Sequence, residues 1–252
     1  MKNLRTSRLI ACVAFILVCG RAASQSTEPA IAQESYTSGS RTEAKHLSSD
    51  FVPDGNLSKS QWKHAAWVDF DRDPTAKVAH PEVATRVASL WTNKFIYFAF
   101  SCRFDSLNTY ESEDISKERW ELWNRDVVEV FLNPEPKRLP HYYEFEVAPN
   151  NQWIDLEIDK TKQPFNDAAW NSGFEHATHI DAGTHIWTAE MRIPLSSMNA
   201  SDPKAGTTWR VNFFRAAGHG GDEKRIFLAW SSIPEGKTFH VPSRFGILRL
   251  TE

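Results

Sequence analysis

Residues 122–134, LWNRDVVEVFLNP, decide the fold. From residue 127 to residue 132 the side chains form two alternating sets, Val128, Val130 and Leu132 on one face and Val127, Glu129 and Phe131 on the other. An alternation with period two predicts a β-strand. Both sets are largely apolar, so we expect both faces of this strand to be covered. Glu129 is set among apolar neighbours and therefore needs a partner, which makes it a candidate functional residue.

The same alternation recurs along most of the chain. Further strands are predicted over residues 84–91, 95–104, 142–148, 153–158, 176–181, 186–193, 208–216, 226–231 and 245–250. Turn signals such as Asn133-Pro134 and Pro149-Asn150-Asn151 separate them, and only short helical pieces are predicted, near 58–64 and 115–122. Strands joined by short turns without long helices favour antiparallel pairing. The prediction is an all-β, antiparallel β-sandwich of immunoglobulin-like or jelly-roll-like type with short helical pieces.

The N-terminus predicts export. In residues 1–24 three basic residues precede an apolar run over 9–20, and a small-residue stretch follows before Gln25, which is the pattern of a signal peptide. The run is shorter than the ~20 residues that span a bilayer. We expect a secreted or periplasmic protein that is not inserted in a membrane after cleavage. Polar residues 25–46 are predicted to form a flexible linker, and residues 47–252 to form one domain.

Charge and cysteine content limit the partners and the sources of stability. The formal net charge of −3 becomes −7 when the leader, with four basic residues and no acid, is removed. An acidic protein without a basic block is not expected to bind nucleic acid or an anionic membrane. Cys102 is then the last cysteine, so no intramolecular disulfide can form, and stability must come from the core.

Four stretches of the domain together are similar to one known family. They are DGNL at 54–57 with the following Trp62 and Trp67, LWTNKFIYFAF at 90–100, LWNRDVVEVFLNP at 122–134 and PSRFGILRL at 242–250. In this order they resemble family 9 carbohydrate-binding modules and their DOMON-like relatives over residues 47–252. The resemblance implies a DOMON-like β-sandwich that binds mono-, oligo- or polysaccharide without catalysis. Such modules usually accompany glycoside hydrolases, which are the expected associates in polysaccharide or oligosaccharide utilisation.

The resemblance also implies where a sugar would be held. In the family two aromatic rings enclose the sugar, which matches positions Trp123 and Phe239, the latter in place of the more usual Trp. Glu129 matches the acid that accepts hydrogen bonds from sugar hydroxyls. On the following strand Glu146 stands where the family has a basic residue. From strand 208–216, Asn212 and Arg215 are candidates to complete the site, with Arg215 or Arg210 as the replacement base.

Tryptophan is abundant, with ten residues, and the sequence divides most of them into two groups. Five lie in predicted strands and are expected in the core, namely Trp91, Trp153, Trp187, Trp209 and Trp230. Three lie in polar surroundings and are candidates for a sugar-stacking platform, namely Trp120, Trp123 and Trp170. An aromatic ring suits the apolar face of a sugar, and carboxylates or amides suit its hydroxyl rim.

The same residues also allow other functions and ligands. A haem b-binding, electron-transfer DOMON-like domain would need a Met with His or Lys as ligands, but Met191 alternates with core residues. A glycoside hydrolase could use Glu129 and Glu146 as its two carboxylates. The nine His are scattered, which disfavours a transition-metal site. No cofactor is expected, although an acidic loop containing Asp69, Asp71 and Asp73 could hold a structural calcium.

Overall fold

A computed structural model describes residues 39–111, 114–200, 202–222 and 224–252. The predicted signal peptide, residues 1–24, and residues 25–38 of the predicted linker lie outside this range. Within the described ranges no helix is long and apolar enough to cross a membrane.

The described residues contain thirteen β-strands. They are β1 (Arg41–His46), β2 (Ala66–Phe70), β3 (Thr85–Trp91), β4 (Phe95–Arg103), β5 (Val127–Asn133), β6 (His141–Val147), β7 (Trp153–Asp159), β8 (Asn166–Asp167), β9 (Glu175–Asp181), β10 (Ile186–Pro194), β11 (Thr208–Ala217), β12 (Ile226–Ala229) and β13 (Gly246–Thr251). The helical elements of these residues are 3-10 turns, at Ser60–His64, Pro81–Val83, Leu122–Asn124, Leu195–Met198 and Pro242–Arg244. The all-β prediction is confirmed.

The strands form one curled sheet whose two halves face each other. The strand order is β8-β7-β6-β5-β11-β13-β1-β3-β4-β10-β9, with β12 added to β11 and β2 to β3. The main core lies between the halves, where Phe98 and Phe100 of β4 meet Phe213 of β11 with ring centroids 5.7 and 6.0 Å apart. The curl therefore produces the β-sandwich that the sequence predicts.

Strand β1 corrects two of the sequence predictions. Arg41–His46 was assigned to the flexible linker, but it is a strand placed between β13 and β3. Both of its ladders are parallel, so the sheet is mixed and not wholly antiparallel. The prediction failed because the inward positions of β1 carry only Thr42 and Ala44, small side chains that leave no hydrophobic signal. Main-chain hydrogen bonds on both edges hold this strand.

The core tryptophans largely occupy their predicted places. Trp91, Trp187 and Trp209 are buried, and Trp153 and Trp230 are half-buried against the same core. Trp170, a platform candidate from the sequence, also packs against this core, with its ring 5.0 Å from that of Tyr143.

The outer face of β5, β6, β7 and β11 carries a second apolar cluster. Its buried members include Val127, Phe131, Tyr142, Leu156 and Phe214, and loop residues such as Phe239 and Trp123 cover it. The expectation that both faces of β5 are covered is therefore confirmed. The register places Glu129 on this outer face, between Glu146 of β6 and Phe214 of β11.

On the opposite half of the sandwich, Glu190 of β10 anchors the segment that precedes β2. Its carboxylate accepts hydrogen bonds from Trp62 Nε1 at 2.6 Å, from Lys59 Nζ at 2.8 Å and from the main-chain N–H groups of Asp54 and Gly55, each at 2.8 Å. Glu190 is fully buried. One charged acceptor thus satisfies four donors, and its loss would leave them unpaired in a poorly solvated place.

We predict that Glu190→Ala lowers the free energy of unfolding by about 3–5 kcal/mol, the cost of breaking a buried ion pair. Glu175→Ala is the matched control, because Glu175 forms an ion pair with Arg192 at the surface of the adjacent β9 and is largely exposed. The control is expected to lose no more than about 1 kcal/mol. Denaturant unfolding measures both values, and equal losses would contradict the assignment of Glu190 as an anchor.

Candidate functional site

A cavity of about 580 Å³ opens on the outer face of β5 and β6. Its aromatic wall includes Trp123 and Phe239, and its polar lining includes Glu129, Glu144, Glu146 and Arg225. Four of the sequence-predicted site residues, Trp123, Glu129, Glu146 and Phe239, therefore line one cavity although they are up to 116 positions apart in the chain.

Strand pairing places the three carboxylates together. Glu129 lies directly opposite Glu146 in the antiparallel β5–β6 ladder, and Glu144 is two residues from Glu146 and so on the same face. All three are buried, with 2%, 4% and 0% exposure for Glu129, Glu144 and Glu146. One oxygen of each lies within 4.8 Å of one oxygen of each of the others.

Burial weakens the acidity of this cluster. It raises the pKa of Glu129 well above its ordinary value, with the charge of Glu144 as a second cause and Arg225 as an opposing one. It raises the pKa of Glu144 to about 7. The pKa of Glu146 is also raised well above its ordinary value, first by burial and then by the charges of Glu129 and Glu144. The neutral, protonated forms of these carboxyl groups are therefore favoured at this site.

Arg225 supplies the basic group of the cavity. Its Nη2 donates to the carbonyl oxygens of Trp123 and Arg125, at 2.7 Å each, and its Nη1 contacts Asp222 at 3.3 Å. These bonds fix the turn that carries Trp123. Sequence reasoning missed Arg225, which lies just before β12 in a loop without a periodic pattern.

The aromatic walls rest on the sheet and extend towards solvent. Phe239 stacks on Phe214 with centroids 4.1 Å apart and planes 8° from parallel. Trp123 is half-buried and meets Trp120 edge to face at 5.0 Å. Trp120 is 47% exposed, so a second indole lies next to the cavity wall. This exposure is unusual for a large aromatic ring and fits a ligand-facing role.

His240 completes the polar rim without adding charge. It shares a 2.6 Å hydrogen bond between its Nδ1 and the hydroxyl of Tyr142. Burial, with a smaller contribution from Lys160, lowers the pKa of His240 to about 4. The imidazole is therefore neutral at pH 7.

Two sequence-predicted site residues do not line the cavity. Arg215 pairs with Val128 and so faces the inner core, where its Nη1 donates to the carbonyl oxygen of Val83 and to Thr85 Oγ1, both at 3.1 Å. Asn212 is on the outer face, but its amide is used by Ser231, to whose carbonyl oxygen it donates and from whose N–H it accepts. Arg215 occupies an inward-facing position in the alternation of β11. Asn212 is already hydrogen-bonded to Ser231.

The loop predicted to hold calcium has a different arrangement. Asp73 accepts hydrogen bonds from the N–H groups of Lys77 and Val78 and from Thr75, which shape a turn. Asp69 pairs with Arg86 at the surface. Among the described residues, the group of His, Cys, Asp and Glu side chains that converges closely enough for a metal is Glu129, Glu144 and Glu146, and not Asp69, Asp71 and Asp73.

Comparison with known proteins agrees with this geometry. The profile of the family described as "Carbohydrate family 9 binding domain-like" matches residues 53–252. The chain belongs to this family. A protein named "Extracellular protein" from Arthroderma benhamiae is 26% identical over 195 residues, which cover 71% of this chain and 83% of that protein.

Three solved structures share the fold at 18–19% identity. A candidate carbohydrate-binding protein from Bacteroides uniformis aligns with a TM-score of 0.67 over 85% of this chain and all of that one. A family 9 module from Caldicellulosiruptor kristjanssonii aligns at 0.61 in its cellotriose complex and at 0.60 in its glucose complex. These alignments cover 84% of this chain, and 94% and 96% of the module.

Membership of this family makes the chain a non-catalytic carbohydrate-binding protein and not an enzyme. The haem alternative is not favoured. Met191 and Met198, the methionines within the described residues, are fully buried in the core between the sheet halves, where neither faces the cavity.

Proposed function

We propose that the cavity between Trp123 and Phe239 is the carbohydrate-binding site of this chain. The proposal rests on one observation: the same cavity is lined by aromatic rings and by buried carboxylate oxygens that receive no hydrogen bond from a donor. Among the described residues no N–H or hydroxyl group donates a hydrogen bond to either oxygen of Glu146 or to Oε2 of Glu144. Buried polar atoms are nearly always satisfied, so a ligand that brings donors fits this place.

A sugar ring has the complementary surface. Its C–H faces pack against the exposed sides of Trp123 and Phe239, while hydroxyls at its rim reach the carboxyl groups. A volume of about 580 Å³ is within the range of small-molecule sites. The bound glucose and cellotriose of the Caldicellulosiruptor kristjanssonii modules support glucose-type sugars as first candidates.

The setting proposed for this activity is outside the cytoplasm. The leader pattern of residues 1–24 and the name of the Arthroderma benhamiae relative support a secreted or periplasmic protein. Sugar binding without catalysis there suits polysaccharide or oligosaccharide utilisation alongside glycoside hydrolases.

Export predicts a defined N-terminus. Because signal peptidase cleaves after small residues, the mature protein is expected to begin close to Gln25. Mass spectrometry of the exported protein measures this directly. An intact Met1, or an acylated Cys19, would contradict it.

The aromatic walls give the main functional prediction. A glycan array identifies a ligand, and calorimetric titration then compares variants. Trp123→Ala is expected to weaken binding by about 2 kcal/mol, or roughly thirtyfold, the scale of an interface hot spot. Phe239→Ala should weaken it less, because a smaller ring covers less of the sugar.

Trp67→Ala is the matched control, because Trp67 is also half-buried but belongs to the apolar cluster over β3 and β4 on the other half of the sandwich. It should leave affinity unchanged. Unaltered affinity in folded Trp123→Ala would place the sugar elsewhere. Release of reducing sugar during the titration would instead support a glycoside hydrolase.

A further inference from the structure

The three carboxylates at the floor of the cavity have the spacing of a cation site. Oxygens bound to one Ca²⁺ at about 2.3–2.6 Å can be at most about 5 Å apart across the ion. One carboxylate oxygen from each of Glu129, Glu144 and Glu146 lies within 4.8 Å of the other two. A single ion at their centre could therefore contact all three.

A separate observation shows that this floor is unsatisfied. Glu146 is 0% exposed, and among the described residues no N–H or hydroxyl group donates to either of its oxygens or to Glu144 Oε2. The polar group close to Glu146 is the carboxyl of Glu144, with which it can share a proton. The neighbouring Tyr142 hydroxyl does not cap them, since it is bonded to His240. A buried carboxylate without donors is costly unless an occupant of the cavity meets it.

The charges around the floor favour a divalent ion. An ion that displaces the protons of these groups meets three carboxylates with a combined charge of −3. Arg225, the buried cation that lines the same cavity, is paired with Asp222, and Lys237 lies at the exposed rim. A negative charge of this size suits a divalent ion better than a monovalent one. Carboxylate oxygens without thiolate ligands suit a hard cation such as Ca²⁺ and not zinc or copper.

We propose that Glu129, Glu144 and Glu146 bind one Ca²⁺ at the floor of the cavity, with the outward coordination positions of the ion facing the ligand space. Ca²⁺ takes six to eight oxygens, so three carboxylates leave positions for water or for neighbouring sugar hydroxyls. Contact of the ion with sugar rests on the proposed function above. Binding of the ion itself does not.

The test uses the exported chain and the metal alone. Tb³⁺ occupies calcium sites and emits when a nearby aromatic ring is excited, and Trp123 and Tyr142 are close to this floor. We expect sensitised emission that Ca²⁺ displaces. Glu146→Gln, which keeps the shape and removes one charge, should weaken Ca²⁺ binding on the order of tenfold or more, because ligand charge sets affinity.

Asp71→Asn is the control, since it removes a carboxylate from the loop first predicted to hold calcium. It should leave Ca²⁺ affinity unchanged. Glu144→Gln serves as a second variant if Glu146→Gln does not fold. Absence of Ca²⁺-displaceable emission, or equal Ca²⁺ affinity in a folded Glu-to-Gln variant, would overturn the proposal. Either result would leave the effect of Trp123→Ala on sugar binding intact, so the two proposals fail separately.

Discussion

Pairing of β5 with β6 is the constraint on which the site depends. Both strands are buried on both faces, and their register sends Val128, Val130 and Leu132 into the main core while Glu129 faces Glu146 on the outside. A slip of one residue would exchange these sets and place a carboxylate in the core. The packing that stabilises the sandwich therefore also holds the acids in their cavity.

This arrangement confines the destabilising burial of carboxyl groups to one site. Burying Glu129, Glu144 and Glu146 together destabilises the charged forms, as their raised pKa values show. The aromatic contacts between the two halves of the sheet compensate elsewhere, since they need no polar partner. Buried polar groups with perturbed pKa values, supported by a rigid apolar scaffold, are common at ligand-binding sites.

The alternation of neighbouring residues predicted most of the strands. Contacts between distant parts of the chain could not be predicted from the sequence. Period two along β5 and β6 placed Glu129 and Glu146 on the faces opposite the apolar sets, because alternation is a property of neighbouring residues. The family resemblance then identified both as candidate site residues. It could not show that β1 joins the sheet, since two small inward residues give no hydrophobic pattern. Arg215 was predicted because it is basic. It follows Phe214 in β11 and therefore points to the face opposite to Phe214, which lies beside Glu129. Arg225 reaches the cavity from a loop, and no local pattern predicts where a loop returns.

The central claim is that aromatic walls and a carboxylate floor hold one sugar in the β5–β6 cavity. A crystal structure with the best ligand from a glycan screen tests it most directly. We expect density for a sugar ring that contacts Trp123 and Phe239 and points hydroxyls towards the floor. The sandwich has another cavity of about 510 Å³, lined by residues such as Gly55, His179 and Thr188. Sugar density there, with the β5–β6 cavity empty, would contradict the assignment of the binding site to Trp123 and Phe239.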